Sequence, residues 1–391
     1  FTLIRKAPQI ENLVLKGGGG KGLGNPPALI ELERAGVLTG LKQLVGTSAG
    51  ALTAALLSSG ISPQAFQDIS HQTNMGDKAG EPLDTLKYPG IQLGFGFKEA
   101  GGILAMVDQK SAESVSKYLG AQWESPSFKA KLALMSEGEQ ARLQALRQQN
   151  FDTDRTSQMI TFRDLSLLHR LEPTQFKELT LTGFNNTDKT LHYFNAKDTP
   201  DMPIAIAGRI SMSIPAFFQS VKYDIGDGKG LREWTDGGVG SNMPAGTLFE
   251  NLEGQVLEEK RARTMLMTFD EDGRAHEIMH GREAKRQKGA TLKEKLLGGN
   301  PNINAARLDD AKQVYDAGPN AFVVFHGDLG TFSLSPSKAK LEKAEHQSTM
   351  KTLKFIEQRL DQAYAVDVSS LDDAVLLMSD QERQLFLDRH G

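Results

Sequence analysis

Apolar runs and helix-like patterns alternate along the first sixty residues of the chain. Residues 12–16 form a short apolar run that ends in four glycines, and apolar positions with helical spacing follow as far as residue 36. A second apolar run, residues 41–46, leads after only two residues into the apolar stretch 49–59. This order predicts strand, glycine-rich loop, helix, strand, sharp turn and helix, as at the start of an α/β fold.

Further strands and helices follow from the same kind of pattern. Residues 179–184 and 190–196 alternate apolar and polar positions around a polar turn, which predicts a hairpin. Three more strands are predicted at 217–225, 265–270 and 321–326, and helices at 111–120, 127–149 and 337–363. We therefore expect a central, mostly parallel sheet flanked by helices, with helical insertions and a C-terminal helical extension.

Two segments interrupt the alternation. Residues 74–107 hold seven glycines among apolar residues, and we interpret 74–150 as a lid or insertion. A charged insertion covers 272–300, where six basic residues face two acidic ones between Arg282 and Lys295. For this basic cluster the alternatives are a contact with anionic lipid and a solvated helix face.

Composition excludes several classes of protein. A net charge of −4 over 391 residues argues against broad phosphate neutralisation, so we expect no nucleic-acid partner. The absence of cysteine excludes disulfides, thiolate metal sites and a cysteine nucleophile. The longest apolar stretch, residues 49–60, is about half as long as a membrane-spanning helix. No signal peptide is recognised after Phe1.

A Gly-x-Ser-x-Gly motif, Gly46-Thr47-Ser48-Ala49-Gly50, lies at a predicted strand-to-helix turn. That is the context of a nucleophile elbow, in which a sharp turn presents a serine at the N-terminus of a helix. Glycines two residues before and after the serine remove side chains that would collide in such a turn. Taken alone, the motif is equally compatible with an ordinary tight turn.

The glycine-rich loop has the sequence Gly17-Gly18-Gly19-Gly20-Lys21-Gly22. Consecutive glycines let backbone amides point at a ligand oxygen, as in an oxyanion hole. The glycine spacing also fits a dinucleotide-binding fingerprint, but no acidic residue stands at the end of the next strand to bind a ribose. A phosphate-binding P-loop fails as well, because Leu23 stands where that motif requires a lysine.

A third motif, Asp236-Gly237-Gly238, follows a strand-like segment. Taken alone, an aspartate beside two glycines usually forms only a turn. Here it follows the glycine loop and the serine motif along the same chain. That combination makes Asp236 a candidate catalytic base.

The three motifs in this order resemble those of the patatin-like phospholipases, lipid acyl hydrolases that use a Ser-Asp dyad on a three-layer α/β fold. Residues 211–218 (SMSIPAFF) and 161–165 (TFRDL) resemble two further segments of that family. The resemblance covers mainly residues 12–60 and 161–270. It implies a patatin-like fold for this chain.

Within the family, the chain resembles in particular the ExoU-type bacterial effector phospholipases. The likeness lies in residues 13–22, residues 210–221 and the tail segment 370–374. It implies a secreted effector that acts at host membranes and is activated by ubiquitin. We expect a catalytic domain over residues 1–335 and a C-terminal extension over 336–391, cut short before a further domain.

The family's chemistry, carried over to this chain, makes Ser48 the nucleophile, Asp236 the base and the amides of the glycine loop the oxyanion hole, with no metal or cofactor. The implied reaction is hydrolysis of fatty acyl esters in membrane phospholipids through an acyl-enzyme, of the phospholipase A2 or lysophospholipase type. It requires peripheral contact with a membrane. Phe95, Phe97 and Met106 are candidates for an acyl channel, with ordinary packing under a long loop as the alternative.

Two other functions remain open at this point. A Ser-Asp-His triad would use His276, His280 or His326, which all follow Asp236 in the chain. A non-catalytic lipid-binding module would use the glycine loop only to hold a phosphate. Retention of both the serine and the aspartate argues against this second alternative.

Overall fold

The apolar runs predicted as strands form the centre of the molecule. The computed structural model describes residues 2–269, 301–361, 363–367, 369–376, 378 and 380–390. The strands are β1 Thr2–Lys6, β2 Asn12–Leu15, β3 Gln43–Gly46, β4 Gln92–Leu93, β5 Glu178–Asn185, β6 Thr190–Phe194, β7 Val221–Tyr223, β8 Arg232–Asp236, β9 Thr264–Thr268, β10 Ala321–Val323 and β11 Ala363–Asp367. The helices are α1 Asn25–Arg34, α2 Ala49–Ser58, α3 Pro63–Gln72, α4 Met75–Gly80, α5 Gly101–Gln122, α6 Pro126–Leu132, α7 Glu137–Arg147, α8 Phe162–Leu171, α9 Ile204–Ser211, α10 Gly246–Phe249, α11 Gly254–Ala262, α12 Pro301–Ala317, α13 Lys338–Asp361, α14 Leu371–Leu376 and α15 Asp380–His390.

The main sheet is mixed, with a parallel centre. In the described part of the chain it has nine strands in the hydrogen-bonded order β10-β9-β2-β3-β5-β8-β7-β4, and β6 pairs with β5. The strands from β10 to β5 run parallel, whereas β4, β6, β7 and β8 pair in antiparallel fashion. Strands β2 and β9 are buried along their whole length. Burial on both faces explains why they read as apolar runs without alternation.

Helices cover both faces of this sheet, because neighbouring residues of a strand point to opposite faces. Leu13 and Leu15 of β2 belong to the larger core, which includes residues of α1, α2 and α5. Val14 belongs to a second core with Leu248 of α10, against which Val314 of α12 packs. The fold is therefore a three-layer α/β arrangement, as the sequence predicted.

Strand β5 has different neighbours along its two edges. Leu181 pairs both with Gly46 of β3 and with Phe194 of β6, and Gly183 pairs both with Asp236 of β8 and with β6. Because β6 occupies one edge, β3 and β8 share the other. They run toward each other along that edge, and their last residues, Gly46 and Asp236, oppose β5 positions only two residues apart.

The glycine-rich segment 74–107 contains more helix than its composition predicted. It includes α4 and β4, and α5 begins at Gly101 instead of residue 111. A glycine is required at this start, because a Cβ on Gly101 would lie 2.0 Å from the carbonyl oxygen of Pro82. The helix expected over 127–149 is divided into α6 and α7, since Ser136 and Glu139 form a capping box that begins a new helix.

The C-terminal part of the chain contacts the beginning of the fold. Helix α13 packs along α1, and its buried Ser348 donates a hydrogen bond of 2.8 Å to the carbonyl oxygen of Gly24. Strand β11 pairs with β1 in a separate antiparallel sheet, which the sequence patterns did not predict. None of the helices in the described residues combines the length and apolar character that a membrane crossing requires. The charged insertion 272–300, with its basic cluster, lies outside the described residues.

A buried ion pair fixes α5 to its neighbouring segments. Arg155 and Asp108 are both almost completely buried and are joined by hydrogen bonds of 2.9 and 3.0 Å. Tyr88 donates a further hydrogen bond of 2.8 Å to the same carboxylate. Water cannot replace a missing partner at this depth, so each member of the cluster depends on the others.

Replacing Asp108 with asparagine should lower the free energy of unfolding by roughly 3 to 5 kcal/mol, because the Arg155 guanidinium would stay buried without its counter-charge. The matched control is the exposed pair of Arg163 and Asp201, which are in contact at 3.0 Å. Asp201→Asn should change the free energy of unfolding by less than about 1 kcal/mol. Urea unfolding of both variants measures the difference, and equal effects would contradict the argument.

Candidate active site

Ser48 lies at the sharp turn between β3 and α2. Its backbone angles are φ 56° and ψ −123°, a combination that residues other than glycine rarely adopt. The flanking glycines make room for this turn, because a Cβ on Gly46 would lie 2.3 Å from the carbonyl oxygen of Gly50. A Cβ on Gly50 would lie 2.2 Å from the carbonyl oxygen of Leu15. The strained turn thus holds the serine at the start of α2.

Asp236 meets Ser48 because β3 and β8 end against each other along β5. Its carboxylate is within hydrogen-bonding reach of the Ser48 side chain and accepts a hydrogen bond of 2.7 Å from the amide of Gly238. Burial raises the pKa of Asp236 to about 7, although these two hydrogen bonds lower it. Two residues predicted from separate motifs therefore lie next to each other.

The segment 211–218 supports the backbone of both residues. The hydroxyl of Ser211 accepts a hydrogen bond of 2.9 Å from the amide of Ser48. The carbonyl oxygen of Ser213 accepts one of 3.0 Å from the amide of Asp236. Between them, the sulfur of Met212 lies 3.7 Å from Ser48 Oγ. The sequence identified this segment only through its resemblance to the family. Its hydrogen bonds show its physical role, which is to hold the backbones of Ser48 and Asp236.

The glycine-rich loop passes directly beside the serine and continues as a 3-10 turn over Gly19–Gly24. A Cβ on Gly17 would lie 3.0 Å from the Cβ of Ser48, and a Cβ on Gly22 would lie 2.8 Å from that of Ala49. Only glycine allows the loop to approach the start of α2 this closely.

The amides of the glycine-rich loop differ in what they bind. The amide of Gly17 donates a hydrogen bond of 3.1 Å to a carbonyl in the loop after β8, and the amide of Gly20 donates one of 2.9 Å to the carbonyl of Thr331. Among the described residues, no acceptor binds the amides of Gly18 and Gly19. These two amides are thus the ones that remain available to a ligand oxygen.

Asp310 of α12 is a buried carboxylate that the sequence motifs did not reveal. It accepts hydrogen bonds from the hydroxyl of Ser241 at 2.7 Å and from the amides of Asn242 and Met243 at 2.9 and 3.0 Å. The Asn242 side chain in turn donates a hydrogen bond of 3.0 Å to the carbonyl of Gly17. Burial raises the pKa of Asp310. The carboxylate thus fixes the loop after β8, which is hydrogen-bonded to the glycine-rich loop through Asn242.

An apolar pocket begins next to Ser48. Gly19, Ala49 and Met212 line it beside the serine. Most of its other lining side chains are apolar, among them Leu52, Leu56, Phe66, Ile69, Met106 and Leu334. Of the three residues considered for an acyl channel, Met106 lines the pocket, whereas Phe95 and Phe97 are exposed.

Of the histidines considered for a triad, the structure describes His326 alone. His326 packs against Phe269, with 5.9 Å between ring centroids, while His276 and His280 lie outside the described residues. In the part of the chain that the structure describes, His, Asp and Glu side chains form no group of three that could hold a metal ion. The described residues place Asp236, and not a histidine, next to the side chain of Ser48.

Replacing Asp236 with asparagine should stabilise the fold at alkaline pH. A pKa raised to about 7 means that the folded state binds a proton more tightly than the unfolded state. The wild type therefore loses stability as the pH rises from about 4 to 7. We expect the variant to exceed the wild type by about 2 to 4 kcal/mol at pH 8 and by less at pH 5. Chemical unfolding at both pH values measures this, and a gain independent of pH would contradict the raised pKa.

Solved structures with the same fold include two bacterial proteins. VipD from Legionella pneumophila is 19% identical, with a TM-score of 0.58 over 94% of this chain and 71% of that chain. ExoU from the type III secretion system of Pseudomonas aeruginosa, solved in complex with SpcU, is 22% identical, with a TM-score of 0.58 over 99% of this chain and 60% of that chain. This chain therefore spans about 60% of the length of ExoU. At such identities the likeness concerns the fold alone.

Comparison of sequences gives a more specific result. No curated protein sequence matches the chain significantly. The family model of the patatin-like phospholipases, however, matches residues 13–249. This region is more than half of the chain and contains the glycine-rich loop, Ser48 and Asp236, which confirms the resemblance found from the motifs. The chain therefore belongs to the patatin-like phospholipase family.

Proposed function

We propose that this protein is a lipid acyl hydrolase that cleaves fatty acyl esters of membrane phospholipids, with Ser48 as the nucleophile and Asp236 as its base. The observation that carries this proposal is that Ser48 lies next to a buried carboxylate and beside a glycine-rich loop in which the amides of Gly18 and Gly19 bind no acceptor among the described residues. The apolar pocket next to the serine supports an acyl chain as the group bound there. An oxyanion hole requires backbone amides that are not already bound to the fold, which makes Gly18 and Gly19 its proposed donors.

In the first half of the proposed reaction, Asp236 takes the proton of Ser48 Oγ as that oxygen attacks the ester carbonyl carbon. The carbonyl oxygen becomes negatively charged and accepts hydrogen bonds from the amides of Gly18 and Gly19. The bond to the alcohol oxygen then breaks. Asp236 returns the proton to that oxygen, which leaves a lysophospholipid and an acyl group on the serine.

In the second half, water replaces the alcohol. Asp236 accepts a proton from the water as its oxygen attacks the acyl carbon, and the same amides hold the second oxyanion. Collapse of this intermediate releases the fatty acid and returns the proton to Ser48. Neither half requires a metal or cofactor.

Burial of Asp236 suits it to the role of base. With a pKa of about 7, its carboxylate has a higher proton affinity than an exposed aspartate, and about half of it is ionised at neutral pH. Since burial is the main cause of the raised pKa, an acyl chain that fills the pocket and excludes water would help to maintain it.

The similar structures support a wider proposal about where the protein acts. ExoU is described as a type III effector protein, and we propose that this chain belongs to a bacterial effector that acts at host membranes. We extend to it the activation by ubiquitin that the ExoU-type resemblance implies. We also propose cleavage of the phospholipase A2 or lysophospholipase type.

Ser48→Ala should lower fatty acid release from phospholipid vesicles by about a thousandfold or more, because no other hydroxyl can take its place in the strained turn. Mass spectrometry of the released acids, with and without added ubiquitin, measures the effect. The exposed Ser127 provides a matched control, and Ser127→Ala should leave the rate unchanged. Equal rates for the wild type and Ser48→Ala in both conditions would refute the proposal.

The same assay distinguishes the two alternatives. A variant with His276, His280 and His326 all replaced by alanine should keep its activity if the dyad acts alone, and should lose it if a triad operates. A wild-type protein that binds vesicles without releasing fatty acid would indicate a non-catalytic lipid-binding module.

Asp310→Asn should lower kcat about 10- to 100-fold with little change in KM, because a loosened loop after β8 would shift the oxyanion amides and not the pocket. The neighbouring Asp309 is exposed and lies on the same helix, so Asp309→Asn is the control. Steady-state kinetics separates kcat from KM, and urea unfolding checks that the variant is folded at assay temperature. A rise in KM with kcat unchanged would show that Asp310 does not act through the oxyanion loop.

A further inference from the structure

Two phenylalanines that the proposed chemistry does not use project into solvent. Phe95 is 78% exposed and Phe97 is 82% exposed, and neither lines the pocket beside Ser48. A single exposed apolar residue needs no explanation, but two aromatic rings close together on one surface do. Their position therefore calls for a partner that favours exposed aromatic rings.

The segment that carries these rings is held in place by backbone hydrogen bonds. The amide of Phe97 donates to the carbonyl of Ala216 at 3.2 Å, and the amide of Ser220 donates to the carbonyl of Phe95 at 3.1 Å. Further backbone hydrogen bonds join residues 94–98 to residues 217–220. The two rings are thus displayed on an ordered edge, so little conformational entropy would be lost when they bind.

A series of contacts links this segment to the lining of the apolar pocket. Phe217, whose carbonyl lies within the same backbone ladder, contacts Phe332 with 5.1 Å between ring centroids. Phe332 is 47% exposed, and Leu334, two residues later, lines the pocket. We call Phe95, Phe97, Phe217 and Phe332 the aromatic rim. The segment 332–334 therefore contributes Phe332 to the aromatic rim and Leu334 to the lining of the pocket.

A lysine accompanies the aromatic rim. The Nζ atom of Lys98 lies 5.5 Å from the centroid of the Phe217 ring. Aromatic rings together with a cation match the surface of a bilayer, where rings lie near the headgroups and ammonium groups attract lipid phosphates. Docking on a rigid protein surface requires a broad complementary patch. A few rings that project from one short segment are better suited to insertion between lipids.

We infer that the aromatic rim is the surface through which this protein enters the headgroup layer of a phospholipid bilayer, with its rings among the lipid chains and Lys98 at a lipid phosphate. This inference rests on the proposed function only because it assumes that the pocket receives a lipid. A lipid would then pass from the bilayer into the pocket along Phe332 and Leu334 without crossing bulk water.

The test uses sedimentation with vesicles of phosphatidylcholine and phosphatidylserine. All proteins carry Ser48→Ala, so that binding is measured without hydrolysis. Adding Phe95→Ser and Phe97→Ser should weaken binding about 10- to 100-fold, since each ring loses its transfer from water into the bilayer. Adding Lys98→Gln instead should weaken binding about fivefold. With vesicles of phosphatidylcholine alone, Lys98→Gln should have no effect.

A control variant separates the rim from exposed apolar surface in general. Leu134 is 88% exposed and Val256 is 61% exposed, and neither belongs to the rim. Replacing both with serine in the Ser48→Ala protein should leave vesicle binding unchanged. With Ser48 intact, the Phe95→Ser, Phe97→Ser variant should hydrolyse a water-soluble short-chain ester at the wild-type rate but lose activity on vesicles.

Several results would overturn the inference. They are absence of vesicle binding by the Ser48→Ala protein, equal binding by its rim variant, and equal loss in the Leu134 and Val256 control. A self-association in analytical ultracentrifugation that the rim variant abolishes, with vesicle binding unaffected, would assign the rim to a second copy of the chain. Rim-dependent binding without fatty acid release by the wild type would contradict the proposed function alone. Normal release with binding indifferent to the rim would contradict this inference alone.

Discussion

The meeting of β3 and β8 on one edge of β5 is the constraint on which the site depends. Ser48 lies two residues after the end of β3 and Asp236 is the last residue of β8, and the registers of the two strands on β5 place these residues next to each other. A slip of either strand by one residue would turn its side chains to the other face of the sheet. Thr182 of β5 fills the space between the two ends, since its hydroxyl lies 2.7 Å from that of Thr47 and a Cβ on Gly237 would lie 2.0 Å from it.

Two buried carboxylates around this junction have different surroundings. Asp310 accepts three hydrogen bonds from one loop, so its lone pairs are occupied by the fold itself. Asp236 accepts one hydrogen bond from the amide of Gly238 and otherwise faces the Ser48 hydroxyl. Burial raises the pKa of both. Asp310 therefore serves to hold the loop in position. The carboxylate of Asp236 makes fewer hydrogen bonds to the fold and can accept a proton.

Much of the fold, and the motifs that place Ser48 and Asp236 next to each other, could be predicted from the sequence. The apolar runs of the parallel strands and the glycines around Ser48 are local signals, because they reflect burial on both faces and the lack of space for a Cβ. Asp310 could not be predicted, since an aspartate on a polar helix looks like any solvated residue. The pairing of β1 with β11 also escaped prediction, because it joins segments from opposite ends of the chain.

The same distinction applies to the exposed phenylalanines. Their composition suggested a channel or packing under a loop, and only the backbone ladder with residues 216–220 determines that the rings face outward. The local sequence shows that a residue is apolar, but it does not show which residues pack against it. That depends on pairing between segments that are far apart in the chain.

The carbonyl contacts at the two ends of the glycine-rich loop have a consequence for its energetics. The amides of Gly17 and Gly20 are already bound to carbonyl oxygens, one of them in the loop after β8 and the other at Thr331. The peptide units between them are therefore anchored on both sides before any ligand arrives. A flexible glycine segment would have to freeze its dihedral angles during each turnover, whereas this one completes that ordering once, when the chain folds. Contacts with residues outside the loop thus preorganise its glycines, although glycine is the most flexible residue type.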